Sequence, residues 1–170
     1  MRQSRQTIRK QVSELLKDNR VTRSPVPVER IAQNLGIEVR FEAAEDDLSG
    51  ALIRKPKGRV VIGVNSAHHS NRQRFTIAHE IGHFILHKGM KLHVDEDFRI
   101  NLRDGSVNDE EIDANAFAAE LLMPTEFIGR DIQKLGRIDQ QGVERLARRY
   151  QVSSRAMEIR LTNLGLTTPL

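Results

Sequence analysis

The sequence predicts an α+β fold: a small, mostly antiparallel three-stranded sheet packed on a helical core, followed by a C-terminal helix-turn-helix-like region. Three observations carry that reading. Three short β-type segments, Ile37 to Phe41, Ser49 to Ile53 and Val60 to Asn65, are separated by charged or Gly/Pro-containing turns. Two longer helical patterns follow, at about Ser70 to His87 and Asp109 to Met123. A helix, tight turn and second helix then occupy Gly142 to Leu161. At 170 residues and 38% apolar content the chain suits one domain with small appendages. We divide it into residues 1–25 (amphipathic helix and linker), 26–135 (main domain) and 136–170 (C-terminal helical region).

Residues 2–20 place Ile8, Val12, Leu15 and Leu16 on one face of a helix, with basic residues among its polar positions. Ser24-Pro25-Val26-Pro27 is a rigid connector. Val28 to Leu35 reads as a short helix with Gly36 as its C′ residue. Val60 to Val64 is apolar enough for a central strand, whereas Leu48 to Leu52 reads as an edge. Ser70 to His87 is largely apolar and reads as a buried helix. Lys88 to Asn108 shows little periodicity and many charges, so a long loop is expected there. The next helix is alanine-rich, with Ile112, Phe117, Leu121 and Leu122, and stops at Met123 because a residue before proline is biased away from helix. In the last region a serine N-cap opens the second helix and Gly165 ends it.

With no cysteine, a disulfide framework and a thiolate metal site are both excluded. The basic start Met1-Arg2-Gln3-Ser4-Arg5 has no apolar stretch after it, and no segment approaches the length of a membrane span, so a soluble cytoplasmic protein is expected. Lys and Arg number 27 against 23 acidic residues, a net charge of only +4. Arg145, Arg148, Arg149, Arg155 and Arg160 nevertheless concentrate positive charge in the C-terminal helices, which leaves contact with DNA phosphates conceivable.

The most specific motif is His79-Glu80-Ile81-Gly82-His83. Two side chains four residues apart on a helix are offset by about 40° and roughly 6 Å of rise, so both imidazoles reach one ion. Glu80, about 100° from His79, stands beside that ion rather than on it. This is the layout of a zinc peptidase, with two His ligands and a Glu as general base for a water whose pKa the ion lowers towards ~7. Gly82 inside the helix costs about 1 kcal/mol relative to alanine, so something must pack closely on that turn.

A catalytic zinc takes three protein ligands. The candidates are His87, His93, Asp95, Glu96, Asp97, Glu110 and Glu111. His87 lies about 12 Å along the helix axis from His79 and suits a supporting position. Glu111 is the better candidate. Asn115 shares its helical face and could accept the ring N–H of a metal-bound histidine, fixing its tautomer. The competing role for Glu111 is a capping box with Ser106 or Asn108.

Arg74-Phe75-Thr76-Ile77-Ala78-His79-Glu80-Ile81-Gly82-His83-Phe84, the segment Glu111 to Pro124 and the acidic connector with His93-Val94-Asp95 together resemble the ImmA/IrrE family of metallo-endopeptidases. The resemblance covers most of residues 26–165. It implies a gluzincin-like zinc centre with His79, His83 and Glu111 as ligands and Glu80 as base, although the adjacent Glu110 leaves the register open by one residue. It also implies a substrate: a helix-turn-helix transcriptional repressor, cleaved so that its genes are released under stress. Zinc is the expected cofactor, and a His/Glu site also accepts manganese or cobalt.

An extended substrate could add to an open sheet edge, and the strand around Leu48 to Leu52 is expected to offer it. Tyr150, Arg137 and Arg160 are the candidates for stabilising the oxyanion. The rival readings are a DNA-binding regulator with a non-catalytic metal site and a toxin–antitoxin or phage-type partner protein. Glu80 argues against a purely structural metal, which needs no base.

Overall fold

The computed structural model describes residues 2–89, 92–96, 109–135 and 138–166. Helix α1 spans Arg5–Asp18, opened by Ser4, whose side chain accepts from the Thr7 amide. Its buried face is Ile8, Val12, Leu15 and Leu16. Helix α2 is Val28–Asn34, and Gly36 follows with φ +75°, the left-handed conformation a C′ glycine supplies. Strands β1 (Ile37–Glu42), β2 (Leu48–Arg54) and β3 (Val60–Asn65) lie within about a residue of the sequence-based bounds. Helix α3 covers Ser70–Leu86 and α4 covers Asp109–Leu122. The C-terminal pair, α6 (Gln140–Tyr150) and α7 (Ser154–Asn163), is joined by a tight turn in which Gln151 has φ 53° and Ser153 caps α7.

Two elements were not anticipated. Helix α5, Thr125–Leu135, starts immediately after the proline that stops α4. Strand β4, Leu92–Glu96, rises from the connector that the sequence presents as a loop. The rest of that connector, residues 90–91 and 97–108, lies outside the described residues, as do the capping candidates Ser106 and Asn108.

The α+β class holds, but the sheet differs from expectation. Among the described residues it has four strands in the order β1-β3-β2-β4, with β1 parallel to β3 and the other pairs antiparallel. Neither the extra strand nor the parallel pair was in the three-stranded, mostly antiparallel prediction. Strand β2 is also not an edge, because β4 pairs along it, with Leu52 opposite His93. Segment 43–47 carries the chain away from β1, so that β3 comes between β1 and β2. Asn65 pins that passage: its Nδ2 donates to Ala44 O (3.2 Å), Glu45 O (2.9 Å) and Leu48 O (2.8 Å). Central β3 is apolar as expected, with Val60, Val61, Ile62 and Val64 buried.

Helix α3 lies across β2 and β3 and packs along α4, which is backed by α1. One continuous core includes Ile8 and Val12 of α1, Leu52 and Ile62 of the sheet, Ile77 and Ile81 of α3, Phe117 and Leu121 of α4, and Leu146 and Leu161 of the last two helices. Gly82 marks a close α3–α4 approach, where a Cβ would meet Ala114 Cα and Phe117 Cβ at 3.2 Å. The close packing that glycine signals in the sequence is thus supplied by α4, and it sets how near Glu111 comes to the histidines.

Candidate metal centre

Residues Thr76–His83 of α3 are buried, and the polar side chains they carry inward are Thr76, His79, Glu80 and His83, each no more than 2% exposed. Unpartnered groups at such positions would be costly, and for His79, Glu80 and His83 partners come from α4 and β4. Glu111, in the first turn of α4, puts Oε2 at 3.3 Å from His79 Nε2 and Oε1 at 3.2 Å from His83 Nε2. One turn further on, Asn115 Oδ1 accepts from His79 Nδ1 at 3.0 Å. That bond holds the His79 proton on Nδ1 and leaves the Nε2 lone pair facing Glu111. His87 stands behind His83, with the two Nδ1 atoms 3.0 Å apart, in the supporting position its spacing suggests. Glu110 lies elsewhere, lining a neighbouring pocket with His87, Lys88 and Asp113.

His93 enters from β4. Its Nε2 is 2.8 Å from Glu111 Oε1 and its Nδ1 is 3.2 and 3.3 Å from the two Glu80 oxygens. The ring stacks on His83 with centroids 3.8 Å apart. His79, His83, His93 and Glu111 each offer one donor atom, all within 4.8 Å of one another. His93 is the residue the sequence left among alternatives. The faint signal for it was a histidine in an acidic stretch with strand-forming Val94 beside it, hidden by the absence of periodicity around it.

The donor set suits a divalent cation on its own geometry. His79 Nε2 and His83 Nε2 are 3.0 Å apart, and with the His79 proton held on Nδ1 its Nε2 presents a lone pair to that neighbour and to the Glu111 carboxylate. Facing lone pairs repel unless a proton or a metal lies between them. Nitrogen and carboxylate donors at these separations fit zinc, with metal–ligand bonds of about 2.0–2.2 Å.

Without a cation, protons on the imidazole nitrogens must take its place between these donors. Burial alone would raise the Glu111 carboxyl, but hydrogen bonds with His79, His83 and His93 outweigh it and hold the group far below the usual carboxylate range. Burial works against the His93 imidazolium, yet hydrogen bonds to Glu111 and Glu80 hold its pKa up at about 10. Burial is the largest influence on His83 and His87, and both are lowered.

The described oxyanion candidates belong to other networks. Tyr150 is fully buried and donates from its hydroxyl to Asp131 Oδ2 at 2.8 Å. Arg160 forms a short contact with Glu120 and donates to Met123 O at 3.0 Å. Arg137 lies outside the described residues. Of the C-terminal arginines, Arg149 is 3.1 Å from Asp131, so part of that basic cluster serves packing.

Residues 32–162 match the model of a peptidase family described as the IrrE N-terminal-like domain. The chain belongs to this IrrE-like metallopeptidase family. Within it, the radiation response metalloprotease IrrE of Deinococcus radiodurans is 36% identical over 107 residues, covering 60% of this chain and 30% of the relative. The chain therefore corresponds to under a third of that IrrE relative. The IrrE-like fold is also similar to that of a Mycobacterium tuberculosis transcriptional regulator, with a TM-score of 0.63 at 17% identity over 92% of this chain and 55% of the other. Among the described residues no helix is long and apolar enough to cross a membrane.

Proposed function

We propose that this domain is a zinc-dependent endopeptidase that acts in the cytoplasm, hydrolysing a peptide bond in a helix-turn-helix transcriptional repressor and so relieving repression. His79, His83 and Glu111 hold the ion, Asn115 orients His79, and Glu80 is the general base. The observation that supports this most is Glu80 itself. It is 0% exposed, stands between the two α3 histidines, lies outside the four-donor set, and still reaches that set through His93 Nδ1. A purely structural site gives no reason to bury a carboxylate there.

A bound divalent ion supplies Lewis-acid polarisation of the scissile carbonyl and lowers the pKa of water. Glu80 then takes a proton from the attacking water and delivers it to the leaving amine. Its buried setting on α3 holds the carboxylate in place for both transfers. A regulatory substrate is supported by the likeness to the Deinococcus relative, a radiation response metalloprotease, and by the family resemblance. A second reading, direct contact of α6 and α7 with DNA, is favoured by Arg148 and Arg155, whose side chains are 72% and 80% exposed.

The test incubates zinc-loaded protein with helix-turn-helix repressors from the same genome and compares wild type with Glu80→Gln. The variant should keep its metal and lose cleavage. Equal cleavage by both would show that Glu80 is not the proton carrier. An electrophoretic shift with DNA alone separates the second reading from the first.

A further inference from the structure

A centre built for hydrolysis keeps one coordination position for water, whereas four protein donors close it. Here four donors converge. A tetrahedral metal with bonds of about 2.0–2.1 Å separates its ligand atoms by about 3.3 Å. The corresponding distances are 3.0 Å for His79 Nε2 to His83 Nε2, 3.3 Å for His79 Nε2 to Glu111 Oε2, 3.2 Å for His83 Nε2 to Glu111 Oε1 and 2.8 Å for His93 Nε2 to Glu111 Oε1. The His93 ring also engages the base, with Nδ1 at 3.2 Å from Glu80 Oε2. With an ion held by these donors, one side chain would take the place of the water and occupy the group that would deprotonate it.

The strand carrying that side chain is loosely tied. Among the described residues β4 pairs with one strand only, β2, and the pairing is irregular between Leu48 and Gly50. Leu92, next to His93, is 58% exposed, so moving the strand outward uncovers little apolar surface there. The remaining donors belong to α3 and α4, which share the core through Ile77, Ile81, Phe117 and Leu121.

We propose that His93 is an exchangeable fourth ligand and that β4 is a strap which closes the centre at rest. This deepens the endopeptidase reading and rests on it. When β4 moves outward, the imidazole leaves with its lone pair, its position passes to water, and Glu80 is freed to act as base. No covalent bond of the chain is broken. The uncovered edge of β2 is then open to an extended peptide, so the strap and the substrate compete for the same edge as well as the same ion.

Two measurements on the full chain test this. Zinc X-ray absorption should count three imidazoles in the loaded wild type and two in His93→Ala. The chain has no cysteine, so the double variant Ala51→Cys, Val94→Cys, at opposed positions of β2 and β4, can form a single disulfide that locks the strap. The oxidised form should retain three imidazoles and lose cleavage of an unstructured fluorogenic peptide library, and reduction should restore it. Two imidazoles in the wild type would overturn the ligand assignment, and equal cleavage by oxidised and reduced forms would overturn the exchange. Three imidazoles in the wild type with no cleavage by any form, the opened His93→Ala variant included, would uphold His93 as a ligand and sink the endopeptidase reading instead.

Discussion

Replacing Gly82 with alanine sets two known effects against each other at the point where α3 meets α4. In an isolated helix the change would stabilise by about 1 kcal/mol. Here the new Cβ would lie 3.2 Å from Ala114 Cα, 3.2 Å from Phe117 Cβ and 3.3 Å from Ala114 O. Carbon atoms pack comfortably at about 3.5–4.0 Å, so α4 must retreat by a few tenths of an ångström, and two of the three obstructing atoms are its backbone. Overpacking of this kind costs about 1–3 kcal/mol, which leaves a net loss of up to about 2 kcal/mol. The retreat also carries Glu111 away from His79 and His83. Metal sites tolerate about 0.2 Å in bond length, so zinc affinity should fall by about tenfold, or ~1.4 kcal/mol. Urea unfolding of the metal-free protein measures the first effect, and competition with a chromogenic chelator measures the second. A Gly82→Ala protein that is more stable by about 1 kcal/mol and binds zinc as tightly as wild type would show that this contact does not set the α3–α4 spacing.

Asn115→Ala removes the acceptor that holds the His79 proton on Nδ1, so zinc affinity measured by equilibrium dialysis should drop about 10–100-fold; unchanged affinity would mean that His79 keeps its tautomer without help. Arg160→Met leaves the buried Glu120 carboxylate without its ion-pair partner, and loss of one member of such a pair should cost about 3–5 kcal/mol in denaturant unfolding. In the metal-free protein His93 has a folded pKa of about 10 against an ordinary 6.5. Its raised pKa therefore contributes stability that is fully present below about pH 6.5 and disappears as the pH climbs through about 10. Unfolding curves across that window should show falling stability, and His93→Ala should flatten the slope.

The helices were the most legible part of the chain because each carries its own apolar period. Ile8, Val12, Leu15 and Leu16 predicted the buried face of α1, and the same four residues are the ones buried. Strand positions were also readable from short β-branched runs. Strand order was not, since a segment such as Leu48 to Leu52 has the same local pattern whether or not another strand covers it. Helix α5 escaped notice because it begins directly after Pro124, where the stop signal for α4 drew the eye, and its buried face includes the polar Asp131 as well as Phe127 and Ile128. Strand β4 escaped because five residues in a charged connector make too short a period to read.

The relation among His79, Glu80 and His83 was determined by the sequence alone, because the rise and turn of one helix set their bearings whatever surrounds them. Gly82 likewise announced a close neighbour without saying which. Only the tertiary structure decided that the neighbour is Ala114 on α4, that Glu111 rather than Glu110 thereby faces the two imidazoles, and that His93 reaches the same point from β4. Those arrivals depend on helix packing and on strand pairing across long separations in the chain, and no local periodicity encodes either.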